Sequence, residues 1–217
     1  MDVEILPRLA SGTALTIQIA VLSMVLATAI SLVLGLLRLV RFLPVRWLVR
    51  GWVEFFRGTS VLVQLFWMYY VLPHFGIFLE PFTVGVLGIS MNLGAYGAEA
   101  VRGAILAVPR TQYEASTALN LSPAHRMRRI ILPQALVMLI PPWGNMLIET
   151  LKASAVVSLI TISDLTFEAY QLNALTFRTL EIFGLTLLIY FILAQIVAAF
   201  VRVIERKVKR GLARGTV

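Results

Sequence analysis

Charged residues are absent from several long stretches of this chain and concentrated in the segments between them. Leu9 to Leu37 contains no charged residue, and neither does Ile182 to Val201. Ile130 to Ile148 also contains none, and residues 58–98 contain a single charge, Glu80. A helix of roughly 20 apolar residues crosses the hydrocarbon core of a bilayer. The pattern therefore predicts an integral membrane protein built from α-helices.

The stretch over residues 58–98 is too long for one helix. It is interrupted at Leu72–Phe82, LPHFGIFLEPF, by two prolines and a glycine. Breaking it there gives five spans in an all-α fold, formed by a single domain over residues 1–217. The predicted elements are TM1 (9–37), TM2 (56–75), TM3 (83–107), a cytoplasmic loop (108–133), TM4 (134–160) and TM5 (181–203).

The basic residues predict how these spans are oriented. Sixteen of the 19 lysines and arginines lie in the segment after TM1, the segment after TM3 and the carboxyl-terminal tail, or near the ends of the spans that border them. In a five-span arrangement these three segments lie on the same side of the membrane. The positive-inside rule places that side in the cytoplasm and the amino terminus outside. A six-span arrangement would scatter the basic segments over both faces.

Composition supports the membrane assignment and limits the chemistry of the chain. Hydrophobic residues make up 59% of the 217 and charged residues 14%, against roughly 25% charged residues in soluble proteins. The cytoplasmic segments account for the net charge of +8, so no nucleic-acid partner is expected. No metal site is expected, because there is no cysteine and His74 and His125 lie far apart. No catalytic residue and no phosphate-binding glycine-rich motif are found, so ATP must be bound by another chain.

The cytoplasmic loop is the most polar part of the chain and predicts two short helices. Thr111 and Glu114 have the spacing of a capping box, with Thr111 as the N-cap of a helix at about 112–119. Asn120 follows as a residue that tolerates the left-handed conformation at a helix end. Ser122-Pro123 suits the start of a second helix. On these features alone, the loop is either a docking element for a cytoplasmic partner or a solvated connection.

The same loop resembles the EAA motif of ABC-importer permeases, which has EAA, three residues, a glycine and then I-x-LP. Here the motif is Glu114-Ala115-Ser116, Asn120 and Ile131-Leu132-Pro133, with serine and asparagine in place of the last alanine and the glycine. The flanking AEAVRGAILAVPRTQ and ILPQA are similar to the polar amino acid permease family. The resemblance covers nearly the whole chain.

The resemblance implies a type I ABC importer permease, multi-pass in the bacterial inner membrane and not itself an enzyme. Its implied partners are a dimer of ATP-binding subunits that binds ATP and Mg, an extracytoplasmic solute-binding protein and the lipid bilayer. A second permease subunit, either a sister chain or an identical copy, is also implied. The residues implied in coupling to the ATPase are Thr111, Glu114, Ala115, Ser116, Ala118, Leu119, Asn120, Ile131, Leu132 and Pro133.

Three further segments look most like the permeases of ectoine and hydroxyectoine importers. They are VEFFRGTSVLVQLFW (Val53–Trp67), AYGAEAVRGAI (Ala95–Ile105) and ETLKASAVVSLITISDLTF (Glu149–Phe167). The broader family carries glutamine, glutamate, arginine, histidine or cystine. Ectoine or hydroxyectoine is therefore the expected solute, with another polar amino acid as the alternative.

Ionisable side chains within the spans are candidates for the substrate pathway, because a charge in hydrocarbon is costly. Glu149 and Lys152, three residues apart, are spaced for an ion pair. They are either pathway residues for a zwitterionic solute or a structural pair. Glu99 is expected to pair with Arg102, with a gating role as the alternative. The full set of pathway candidates is Asn145, Glu149, Lys152, Ser154 and Glu99.

Charges outside the spans give weaker predictions. Glu54 and Arg57 are spaced for an interfacial ion pair just before TM2. Asp164 and Glu168 fall in the predicted outer loop, where they are either solvated or in contact with a solute-binding protein.

Two other classes of membrane protein remain open. One is a self-contained channel or ion-coupled carrier, although the spans show no inverted repeat of the kind that carriers use. The other is a membrane-embedded enzyme, which needs a cluster of polar catalytic groups. The charges in these spans are spaced as pairs instead.

Overall fold

The computed structural model describes residues 5–214, with side chains described through residue 208. Residues 1–4 and 215–217 of the predicted domain lie outside this range. Within it the regular elements are helices, as the predicted all-α fold requires. In chain order they are α1 (Ile5–Leu37), α2 (Leu43–Gly58), α3 (Val61–Phe75), α4 (Pro81–Leu106), α5 (Arg110–Ala118), α6 (Pro123–Ile160), α7 (Leu165–Thr176) and α8 (Thr179–Arg214).

Three helices in the described part of the chain are long and apolar enough to cross a bilayer. They are Ile5–Leu37, Pro123–Ile160 and Thr179–Val208, which correspond to TM1, TM4 and TM5. Helix α4, with 26 residues, is about 39 Å long at the helical rise and corresponds to TM3. Helix α3 is shorter and corresponds to TM2. The count of five spans and their orientation stay predictions.

The predicted TM2, over residues 56–75, is wrong at its start. The backbone is extended at Thr59 and Ser60, which separates α2 from α3. Helix α2 is amphipathic and buries Val49 and Val53 against α4, while Arg46 and Arg50 stay exposed. The spans were predicted from stretches without charged residues. Because these arginines interrupt such a stretch, the segment resembled a basic loop and the helix was not predicted.

Helix α6 begins well before the predicted TM4. It runs without interruption from Pro123, through a π turn at Met127–Ile131, into the α-helical segment Leu132–Ser154. A 3-10 turn then completes it at Ile160. The second helix of the loop and TM4 are thus one element, and Pro133, which has no N–H to donate, lies directly after the π turn.

Helices α1 and α4 pack closely through small residues. The Ser31 hydroxyl donates to the carbonyl of Ala27 at 2.6 Å and to that of Gly94 across the interface at 3.2 Å. A Cβ added to Gly97 would overlap the Ser31 Oγ. Ala98, on the same helix, is fully buried. Helices α1 and α4 therefore meet through small residues, which are what allow two backbones to approach closely in a membrane.

The segment after α6 packs against α1, so Asp164 and Glu168 are not the solvated side chains that one reading of the outer loop expected. Asp164 is fully buried, and its Oδ1 accepts from the backbone N–H of Phe167 at 2.9 Å as the N-cap of α7. The N–H of Leu165 donates to Thr16 of α1 at 3.1 Å. Glu168 forms an ion pair with Arg8 at 2.8 Å. Contacts with α1, which is distant in sequence, therefore fix the position of this segment.

Candidate functional site

Helix α5, the first helix of the loop, begins two residues earlier than the capping box requires. Pro109 occupies the N-cap position and Arg110 is the first helical residue, with no side-chain hydrogen bond at the cap. Thr111 is already within the helix, so its hydroxyl is not placed to cap it, and Glu114 does not fold back onto it. Pro109 decides the start, because its fixed φ and missing N–H suit the residue that precedes a helix.

The other end of α5 is as predicted. Asn120 has φ 54°, in the left-handed region. Its N–H donates to the Thr117 carbonyl at 2.9 Å, and the N–H of Leu121 donates to the Ser116 carbonyl at 3.1 Å. This pair of bonds is the Schellman arrangement, in which a left-handed residue satisfies the last carbonyls of the helix. Asparagine fills the position that glycine holds in the EAA motif.

The residues of α5 divide into an exposed face and a buried one. Ala115 and Ala118 are exposed, and Leu119 has 72% of its surface exposed although it is a large apolar residue. Ser116 is buried, and its hydroxyl donates to the Tyr113 carbonyl at 2.7 Å. Ser116 therefore helps to fix the helix and does not belong to the surface presented to a partner.

Side-chain contacts brace α5 against the bundle. The Tyr113 hydroxyl donates to the Ile105 carbonyl of α4 at 3.1 Å. Arg126 of α6 donates to the Thr117 hydroxyl at 2.8 Å and lies over the Tyr113 ring at 5.9 Å. Sequence reasoning missed Tyr113 and Arg126, because their role depends on how α5 and α6 meet.

The end of the motif anchors the loop to α4. Ile131 is fully buried in a cluster with Ile105 and Val108. Leu132 is half-buried and Pro133 is exposed. Ile131-Leu132-Pro133 therefore lies at the base of the loop, between α5 and the rest of α6.

A cavity of about 650 Å³ contains part of the predicted substrate pathway. Asn145, Glu149 and Lys152 lie on its wall. The Lys152 Nζ contacts Glu149 Oε1 at 3.0 Å, so the predicted ion pair is confirmed, and the two side chains are 63% and 59% exposed. Asn92 and Tyr96 of α4 also line the cavity. They were not predicted, because the sequence alone does not show which neighbouring helix or cavity an uncharged polar residue in a span faces.

Ser154 and Glu99, the other two pathway candidates, lie away from the cavity wall. Ser154 is fully buried, and its hydroxyl donates to the Leu151 carbonyl of its own helix at 2.7 Å. Glu99 forms an ion pair with Arg38, which follows α1.

Two more arginines approach Glu99. Arg57 lies at 3.6 Å and the predicted partner, Arg102, at 3.9 Å. The expected pair of Glu99 and Arg102 exists, but it is one member of a network. Arg57 pairs with Glu99 and not, as predicted, with Glu54. The network joins the ends of α1, α2 and α4, an arrangement that only the tertiary fold reveals.

Comparisons with known proteins agree with these features. The family model described as binding-protein-dependent transport system inner membrane component matches residues 27–210. The probable amino-acid ABC transporter permease protein y4tF of Sinorhizobium fredii is 42% identical over 95% of this chain and 90% of its own length. The L-cystine transport system permease protein TcyB of Bacillus subtilis is 34% identical over 96% of this chain and 89% of its own length.

A solved structure has the same fold. The crystal structure of an amino acid ABC transporter with histidines matches with a TM-score of 0.90 at 33% identity, over 94% of this chain and 96% of that chain. The family match begins within α1 and ends within α8, and so includes α5 and the helices around the cavity. The chain has the type I ABC permease fold and belongs to the family of binding-protein-dependent transport system inner membrane components.

Proposed function

We propose that this chain is the permease subunit of an ATP-driven importer for a polar amino acid or an amino-acid-like compatible solute. Family membership and the named relatives support the permease role. The observation that carries the proposal is α5, a short helix that is closed at Asn120 and braced by Tyr113 and Arg126. A helix held in this way transmits force, whereas a solvated connection needs no bracing.

The exposed face of α5 is the surface that enters a groove of the ATP-binding subunit. Ala115 and Ala118 allow a partner backbone to approach closely, and the exposed side chain of Leu119 supplies apolar area for burial. Thr111 and Glu114 are exposed as well and lie at the edge of this face. Ser116 and Ile131 act from inside by holding the helix in place.

The partners follow from this role. A dimer of ATP-binding subunits binds ATP and Mg and performs the hydrolysis. A second permease subunit, a sister chain or an identical copy, completes the pathway. An extracytoplasmic solute-binding protein delivers the solute on the other side of the membrane.

The cavity supports a zwitterionic solute. Its volume of about 650 Å³ lies within the range of about 300–1,000 Å³ typical of small-molecule sites. Glu149 and Lys152 place both signs of charge on one wall. A carboxylate on the solute pairs with Lys152, and an ammonium or amidinium group pairs with Glu149. An amino acid has this charge pattern, and so has ectoine, which we include among the proposed solutes.

The coupling role is tested by placing a bulky charge on the α5 face. Ala118→Arg in a reconstituted transporter should lower solute-stimulated ATPase activity and uptake by at least about tenfold, because a buried unpaired charge costs well over 1.4 kcal/mol. Ala124→Arg is the matched control, since Ala124 is exposed at the start of α6, outside α5. Full coupling in Ala118→Arg, or uptake in vesicles that contain no ATPase subunit, would refute the proposal and favour a self-contained carrier.

The solute is identified by ATPase stimulation of the reconstituted complex with its solute-binding protein. The compounds to compare are ectoine, hydroxyectoine, glutamine, glutamate, arginine, histidine and cystine. Glu149→Gln and Lys152→Gln should each weaken the response to the best of them. An unchanged response in both variants would remove these side chains from the pathway while leaving the coupling proposal standing.

A further inference from the structure

A second cavity, separate from the proposed solute pathway, lies at the end of the bundle that carries α5. Its volume is about 370 Å³. We call it the arginine pocket, because four guanidinium groups line it, those of Arg38, Arg46, Arg50 and Arg102. They come from the end of α1, from α2 and from α4, so the fold gathers charges that are distant in sequence.

Carboxylates near the arginine pocket leave most of this positive charge unmatched. Glu99 is engaged by Arg38, Arg57 and Arg102. Among the described residues, no carboxylate lies within ion-pair distance of Arg46 or Arg50. Arg50 instead stacks over the ring of Trp47 at 5.6 Å. Two guanidinium groups are thus free to bind an anion, and their fork geometry suits phosphate oxygens.

Mutual repulsion within the pocket is visible at Arg38. Burial lowers the pKa of its guanidinium, and the positive charge of Arg102 lowers it further, with Arg50 adding to the effect. Glu54 opposes this shift. An anion bound in the pocket would relieve the repulsion.

The surroundings of the arginine pocket match the edge of a membrane. Trp47 lies on its wall and is 61% exposed, and the neighbouring Leu48 is 77% exposed. Phe42, just before α2, is 62% exposed. A helix with arginines beside exposed tryptophan and aliphatic residues lies at the boundary between headgroups and acyl chains.

We propose that the arginine pocket binds the phosphate group of an anionic phospholipid, with the acyl chains lying against the apolar side of α2. Basic pockets between membrane helices hold anionic headgroups in this way. The other source of the same chemistry is free phosphate, which would need no apolar surface beside the pocket. The exposed Trp47 and Leu48 favour the lipid.

The test is a titration of the full-length protein, purified in mild detergent, with short-chain phosphatidylglycerol, followed by native mass spectrometry. Phosphatidylglycerol should bind, and phosphatidylcholine of the same chain length should not. Millimolar inorganic phosphate should leave the bound phosphatidylglycerol in place. Displacement by phosphate, or equal binding of the two lipids, would overturn the proposal.

Variants show whether the arginine pocket itself is the site. The double variant Arg46→Gln/Arg50→Gln should raise the dissociation constant of phosphatidylglycerol roughly tenfold. Arg128→Gln/Arg129→Gln removes two exposed charges from the same end of the bundle and should change the dissociation constant less than about twofold. Arg46→Lys/Arg50→Lys keeps the charge and should retain binding, which guards against misfolding of the glutamine variant. Equal effects of the two glutamine variants would mean diffuse attraction and would refute the site.

Discussion

Two carboxylates of this protein show how the surroundings of a residue decide what its ion pair contributes. Glu99 is 25% exposed and faces three guanidinium groups, among them that of Arg38, which is 10% exposed. Glu149 is 59% exposed and faces one ammonium group. Removing one partner of a solvent-screened ion pair costs little folding free energy. Removing a carboxylate that several largely buried arginines share leaves their positive charges without a counter-charge.

Glu99→Gln should therefore destabilise the protein by about 2 kcal/mol, because Arg38 and its neighbours lose their counter-charge. Glu149→Gln is the matched control and should cost no more than about 0.5 kcal/mol. Thermal unfolding of both variants in the same detergent measures the difference. Equal melting temperatures would show that the arginines do not depend on Glu99.

Asp164 predicts a pH dependence of stability. Burial raises the pKa of its carboxyl group to about 6, above the value of about 3.9 in an unfolded chain. Between these two values the folded state holds a proton that the unfolded state has released. The free energy of unfolding should consequently fall as pH rises from about 4 to about 6, and the stability gained by protonation is fully present below pH 4.

The variant Asp164→Asn isolates this effect, because asparagine also serves as an N-cap but carries no titrating proton. Melting temperatures of the two proteins should converge at pH 4 and separate at pH 7, with the variant more stable by about 3 kcal/mol at the higher pH. A constant difference across this range would show that Asp164 does not titrate as described.

At the scale of elements, local sequence determines some helix ends and distant contacts determine others. The end of α5 was predictable, since Asn120 and Ser122-Pro123 act within a few residues. Its start was not, because Pro109 competes with Thr111 for the cap position. Helix α2 was not predicted because its arginines interrupt the apolar pattern of its buried face. The burial of Asp164 was not predicted because it depends on contacts with α1. The cavity needed α4 and α6 together, so only the α6 half of its polar wall was anticipated.

The contact between α1 and α4 gives a prediction with an internal control. In Gly97→Ala the new Cβ would lie 2.8 Å from the Ser31 Cβ, so the helices must separate at a cost of about 1–3 kcal/mol. In Gly103→Ala, on the same helix, the new Cβ meets nothing within 4 Å, and stability should hold or rise by up to about 1 kcal/mol. Melting temperatures in detergent provide the comparison, and similar losses in both would argue against a tight interface at Gly97.

At the scale of the whole molecule, a five-span arrangement and a three-span one place the turn between α3 and α4 on opposite sides of the membrane. If only α1, α6 and α8 crossed the membrane, the turn between α3 and α4 would remain on the cytoplasmic side. In the five-span arrangement that turn faces outward. It contains Phe78, which is 79% exposed.

The chain has no cysteine, so single-cysteine variants report topology directly. A membrane-impermeant maleimide should label Phe78→Cys in intact spheroplasts. It should label Ser122→Cys, next to α5, only after permeabilisation. Protection of Phe78→Cys in intact spheroplasts, with labelling after lysis, would reduce the number of spans to three.

The continuity of α6 has a mechanical consequence. Its 38 residues extend roughly 57 Å, from the foot of α5 to the segment beside α7, so the helix is a lever arm. Pro141 and Pro142 lie near its middle, where missing N–H groups make a helix easiest to bend. A bend of about 10° there would swing the end at Pro123 through about 5 Å. A small change of angle beside the cavity would thereby displace the end of α6 next to α5 by nearly one helical turn.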